Sequence, residues 1–192
     1  MVKYSYYFVI VVLISLSSCS ILGIRSGYDQ VDYQLIEKIG LVEIRDYPER
    51  LVAEVVGISN RREAFMSLFA YIDGQNKTQQ DIKMTAPVEL LERTDNVLMR
   101  FFLPVNFKQD SAPAPINSKV SLKTLSSARF AVLRYSGSTD LENFTQEKEK
   151  LLKIIAKSDY KAKGNVSFLG YDPPFTIPFL KRNEVIVEVE KK

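Results

Sequence analysis

The one thiol of the chain, Cys19, closes the run Leu16-Ser17-Ser18-Cys19 directly behind an apolar segment. A small-residue site ending in cysteine is where a bacterial lipoprotein signal is cut, so this sulfur is expected to carry lipid. Once it does, no thiol remains for disulfides or for cysteine catalysis. Histidine is absent from all 192 positions. The usual general base, the usual zinc ligand and the usual haem ligand are therefore missing together. Acid–base chemistry is left to carboxylates. Glu54, Glu89 and Glu184 are scattered along the chain, and only a pair brought together by the fold could do such work. Neither a G-x-S-x-G nucleophile turn nor a phosphate-cradling glycine loop is present. The expectation is a protein without catalytic residues and without a metal site.

The targeting segment has three parts. Lys3 gives a positive start, Tyr4 to Leu16 an apolar stretch, and Cys19 the cleavage site. The stretch is short against the roughly 20 residues that cross a bilayer. This predicts a signal peptide over 1–18, a lipidated Cys19 with a polar tether over 19–31, and one globular domain over 32–192. Ser20 in place of aspartate after the cysteine favours the outer membrane, with the protein facing the periplasm of the cell envelope. The acyl chains of such a cysteine make a permanent membrane tether. Two alternatives stay open. One is an uncleaved single-span anchor. The other is a eukaryotic secretory signal, in which case Asn76, Asn143 and Asn165 would be glycan acceptors.

A formal net charge of +3, with Lys and Glu dispersed, leaves no nucleic-acid footprint. With 46% hydrophobic and 26% charged residues, the chain after the signal fits one globular, monomeric domain.

The elements that must hold any site follow from periodicity. Val42 to Tyr47 alternates as a half-buried strand, Pro48-Glu49-Arg50 turns, and Leu51 to Gly57 returns. Asn60 with Glu63 starts a helix carrying Phe65, Leu68, Phe69 and Ile72, which ends at Gly74. Strands follow at Met84 to Leu91 and Val97 to Leu103, then a polar loop over Pro104 to Asn117. The same order recurs. Val120 to Leu125 and Phe130 to Gly137 are strands, Thr139 with Glu142 caps a helix through Leu151 and Ile155, and Val166 to Tyr171 and Glu184 to Glu190 are strands. The chain is thus two β-β-α-β-β repeats. The economical solution is an α+β fold, a distorted antiparallel β-barrel with two flanking helices in pseudo-two-fold arrangement.

Several short motifs stand in the order of a known family. They include Tyr47, Met84-Thr85-Ala86-Pro87-Val88, Phe101-Phe102-Leu103-Pro104, Tyr135-Ser136-Gly137, Gly170-Tyr171-Asp172-Pro173-Pro174 and Arg182-Asn183-Glu184-Val185. Over about Asp32 to Val189 the chain resembles the SOUL/haem-binding protein family. That resemblance implies the same duplicated barrel, a fold also similar to the effector-binding domains of some bacterial regulators. It implies binding of haem or a related tetrapyrrole, or another amphiphilic small molecule, at the first helix and a nearby C-terminal loop. Carried onto this sequence, the site is Arg62, Phe65, Met66 and Phe69, with Lys181 or Arg182 as the second basic contact. Without imidazole, iron is expected to be coordinated weakly or not at all.

Plainer readings stand beside these. Phe65, Phe69 and Ile72 also suit core packing. Met84 offers a thioether to iron and equally a packing group, and Tyr135 and Tyr171 are two of 10 tyrosines that could meet ferric iron. A second function from a different class is an envelope scaffold that binds protein and no tetrapyrrole. It gains if the Phe65/Phe69 face is buried against the sheet.

Overall fold

The computed structural model describes residues 29–92 and 96–192. The signal peptide, Cys19 and the tether up to residue 28 lie outside the described residues. Among those described, no helix is long and apolar enough to cross a membrane.

The strands are β1 (Asp29–Gln30), β2 (Gln34–Ile39), β3 (Val42–Tyr47), β4 (Arg50–Ile58), β5 (Thr85–Ala86), β6 (Val88–Glu92), β7 (Val97–Phe102), β8 (Val120–Leu125), β9 (Ala128–Tyr135), β10 (Tyr160–Gly170) and β11 (Asn183–Lys191). Helix α1 (Arg61–Ile72) follows β4, and α2 (Leu141–Ala156) follows β9. Asn60 caps α1 as expected, its side-chain oxygen accepting from the Arg62 N–H at 2.8 Å. Gly74, with φ +80°, turns the chain away after α1. Glycine fits that left-handed backbone, and a Cβ there would meet Asp81 Oδ1 at 3.0 Å. The α2 cap falls one residue later than the sequence suggests. Asp140, not Thr139, accepts from the Asn143 N–H at 2.8 Å, and a charged carboxylate is the better acceptor there.

Nine strands form one sheet in the order β2-β3-β9-β11-β10-β6-β7-β4-β8. With β2 set aside, that order is unchanged when the two repeats are exchanged, and the antiparallel β10–β6 pair lies at its centre. The duplication is therefore present, with one feature that periodicity does not show. Each repeat donates its first strand to the other: β3 pairs with β9, and β8 with β4. The strands read as returning partners, β3 with β4 and β8 with β9, do not pair with each other. The barrel expectation is also corrected. Strands β2 and β8 are unjoined edges, so the sheet is open rather than closed. Asp29–Gln30, read as tether, pairs in parallel with Thr85–Ala86. Asn76, one of the three sequons, is fully buried, and its amide donates to the Tyr71 and Gln80 carbonyls. No glycan can be accommodated there.

Each helix covers its own half. Ala64, Leu68, Tyr71 and Ile72 of α1 pack on Ala53, Val55, Met99 and Phe101. Leu151 and Ile155 of α2 pack on Ala131, Leu133, Val185 and Val187. Fully burying each large aliphatic side chain is worth about 1.5–3 kcal/mol. Because side chains alternate along a strand, the opposite sheet face receives Arg45, Glu54, Arg100 and Glu184. It is held by ion pairs and by an apolar cluster of Tyr47, Val132, Leu169, Tyr171 and Ile186 instead of by a helix.

Candidate functional site

A groove of about 470 Å³ opens where the two repeats meet. Its floor comes from Val88 and Leu90 of β6, Met99 of β7 and Phe168 of β10. Helix α1 contributes Arg62 and Phe65 to one wall. Thr139 and Phe144, at the start of α2, line it as well. Asp172, Pro174 and Lys181 of the loop between β10 and β11 complete the rim. The volume is within the ordinary range for small-molecule sites, about 300–1,000 Å³.

Phe65 is half-buried, set edge-on to Phe101 at 5.2 Å and stacked with Phe69 at 6.1 Å. One side of its ring serves the core while the residue as a whole lines the groove. Leu68 and Ile72 of the same stripe are buried core. Phe69 and Met66 are 40% and 51% exposed, further along the helix than the groove-lining Arg62 and Phe65. The expected helix face is thus split into core, groove and open surface.

Three cations, Arg61, Arg62 and Lys181, line the groove, and their surroundings differ. Arg61 is held by Glu92, with Nε donating at 2.6 Å. Arg62 is exposed and has no side-chain hydrogen bond or ion pair among the described residues. Lys181 Nζ donates to the Pro174 carbonyl at 3.0 Å, which leaves its charge without a carboxylate there. Arg182, the other basic candidate, does not line the groove. Its guanidinium donates to Glu184 Oε1 at 2.8 and 3.0 Å and lies over the Tyr171 ring at 3.8 Å.

Glu184 is the centre of that second arrangement. Its fully buried carboxylate accepts from Arg45 at 2.9 and 3.2 Å and from the Tyr171 O–H at 2.9 Å. Burial would lower the Arg45 pKa, but Glu184 outweighs it and holds the guanidinium above its ordinary value. Burial, and then the Glu184 charge, push the Tyr171 phenol well above the usual tyrosine range. Tyr171 is thereby a neutral donor inside a structural network. Glu54 and Glu89 share Arg100, at 2.8 and 3.3 Å. Met84 packs beside the α1 core, and Tyr135 beside the α2 core. Among the described residues no cluster of three or more acidic, Cys or His side chains suits a metal ion.

A larger cleft, about 1050 Å³, lies between the segment Asp29–Asp32, the start of β4 and the loop after β7. Sequence reasoning did not find it. Arg50 lies there over Tyr47, Phe130 and Phe102 at 4.7, 5.5 and 5.6 Å, and its Nε lacks a partner. Asp29, Asp32, Glu49 and Asp110 line it against Arg50 and Lys108. That acidic balance is wrong for a dianionic macrocycle. The smaller groove has an apolar floor and three cations, Arg61, Arg62 and Lys181, against two carboxylates, Glu92 and Asp172, and so suits a flat amphiphilic anion better.

The fold is a duplicated α+β domain with a groove at the junction of its repeats. A family model, SOUL heme-binding protein, matches residues 28–188, and the chain belongs to that family. Heme-binding protein 1 of Xenopus tropicalis is 26% identical over 133 residues, which cover 65% of this chain and 68% of that protein. Among solved structures, the EcmrR C-terminal domain is similar with a TM-score of 0.60 at 12% identity, over 83% of this chain and 99% of that one. A hydrolase from Listeria innocua gives 0.59 at 12% identity, over 78% and 91%. These structures show a shared fold.

Proposed function

We propose that the protein is a lipid-anchored, non-catalytic binder of haem or a related tetrapyrrole, held at the cell envelope by Cys19. Family membership and the groove between α1 and the β10–β11 loop support this reading. The observation that carries it is the placement of Phe65, Arg62 and Lys181 around one apolar floor. The macrocycle lies against Phe65 and Phe168, and its carboxylates pair with Arg62 and Lys181. Burying roughly 200 Å² of macrocycle at about 25 cal/mol per Å² supplies roughly 5 kcal/mol before association costs. A bound haem would supply its iron, but Met99, the one soft donor lining the groove, is buried in the floor. Affinity therefore comes from the macrocycle and its carboxylates.

The test is a titration of the full chain in detergent with haemin and with metal-free protoporphyrin, followed by absorbance and tyrosine fluorescence. Saturable binding of both, within about threefold of each other and with a broad Soret band for haemin, is expected, since a threefold difference is under 1 kcal/mol. A sharp, six-coordinate low-spin spectrum, or no saturation with either ligand, would overturn the reading. The second result would leave the envelope-scaffold function in its place.

A further inference from the structure

We infer that the loop from Pro173 to Leu180 is a membrane-contacting surface, placing Phe175 and Phe179 in the interface of a lipid bilayer. This rests on the proposed lipid anchorage at Cys19. Phe175 and Phe179 are 64% and 72% exposed, unusually open for phenylalanine. Backbone hydrogen bonds tie the loop that carries them. The Thr176 N–H donates to the Pro173 carbonyl at 3.1 Å, the Leu180 N–H to Ile177 at 2.9 Å, and the Gly137 N–H to Pro178 at 2.9 Å. Two large rings thus stand exposed on a hydrogen-bonded loop, the mark of an interaction surface.

Charge identifies the partner as lipid rather than protein. From Pro173 to Asn183 the sequence contains no acidic residue, and Lys181 follows the aromatic stretch as the cation of this surface, since Arg182 is committed to Glu184. Phenylalanine tips backed by cations are the composition of segments that lie in the headgroup–acyl boundary. The attachment point agrees. Gln30 Oε1 accepts from Arg182 Nη1 at 3.1 Å, so the first described residues lie beside the end of this loop. Nine residues separate Cys19 from Asp29, and the ten steps between them reach about 35 Å at most. A lipidated Cys19 therefore keeps the loop near the membrane. Because Pro174 and Lys181 also line the groove, its mouth then faces the bilayer, and the ligand it takes is one dissolved in lipid.

The chain has no tryptophan, so a single introduced indole reports its own environment. F175W, F179W and K161W are made in the full chain. Lys161 is exposed near the far end of β10 from Gly170, about 30 Å away along the strand. Each variant, purified from membranes, is reconstituted into phosphatidylcholine–phosphatidylglycerol vesicles whose acyl chains are brominated near the headgroup. The expected result is a loss of emission of about twofold or more for F175W and F179W, matching burial of about 5–10 Å, with K161W unchanged. Equal quenching at all three positions, or none at the two loop positions, would overturn the inference. Porphyrin titration of the same variants in detergent reads the groove separately. Failure of the ligand reading and failure of the membrane contact are thereby distinguishable.

Discussion

Helices α1 and α2 occupy equivalent places in the two repeats and both border the groove, α1 through Arg61, Arg62 and Phe65 and α2 through Phe144. The first turn of α1 carries Arg61 and Arg62 behind an uncharged cap, Asn60. The start of α2 carries Asp140 and Glu142. Phe65 turns partly from the core into the groove, and exposed Met66 and Phe69 continue the apolar surface. The α2 stripe goes to the core through Leu151 and Ile155. Duplication gives the two helices one scaffold task, covering a half-sheet. What differs between them is not required by that task, and at the groove the difference is the pair of cations that α1 alone supplies.

The sharpest separation of shared task from difference comes from the core. Leu68→Ala in α1 and Leu151→Ala in α2, both fully buried, should each lose about 2–5 kcal/mol in denaturant titrations. Porphyrin affinity at low denaturant should fall with Leu68→Ala, which loosens the turn beside Phe65, and hold with Leu151→Ala. Equal loss of affinity would remove the distinction between the helices. At the groove itself, Phe65→Ala should weaken porphyrin binding about tenfold or more. Phe144→Ala should weaken it about threefold, because the larger apolar contact is assigned to α1. A reversed order would move the site to α2. Arg62→Ala and Lys181→Ala should each cost about two- to fivefold in affinity, the scale of solvent-exposed ion pairs, and the loss should shrink in high salt. Glu142→Ala should not weaken binding.

A pH effect invisible at neutrality comes from the tyrosines whose phenols burial raises, Tyr71 of the α1 half among them. Burial pushes the Tyr71 phenol up to about 12 from its ordinary value of 10, and its O–H donates to the Pro113 carbonyl at 2.9 Å. A raised folded pKa contributes stability that is complete below pH 10. It is lost as the pH rises through 12. Unfolding monitored between pH 9 and 12 should show this loss, and Tyr71→Phe should remove that part of the profile.

Much of the architecture was legible because its signals are local. Alternation at Val42–Tyr47, helical spacing through Leu68 and Ile72, and the repeated order of elements each need only a short window of sequence. Exchange of the first strands was not legible. Pairing of Val42 with Leu133 spans most of the domain, and nothing in the alternation distinguishes that partner from Leu51 to Gly57 next door. Openness of the sheet was hidden for the same reason, since closure depends on whether two distant edges meet. For the site, Arg62, Phe65 and Lys181 were named before the fold was known, and the structure brings them to one groove. The floor was not named, because Val88, Leu90, Met99 and Phe168 carry the same apolar alternation as any core strand. Lys181 and Arg182 are adjacent cations that composition cannot separate. The fold does so by giving Arg182 to the buried Glu184.

The central claim, that the junction groove and not the larger Arg50 cleft takes the macrocycle, is most directly tested by amide chemical-shift mapping. The full chain in detergent is titrated with metal-free protoporphyrin. The account predicts the largest shifts at Arg62 to Met66, Val88 to Leu90, Phe168 to Gly170 and Lys181. Shifts centred instead on Arg50, Leu51 and Leu103 to Gln109 would contradict it.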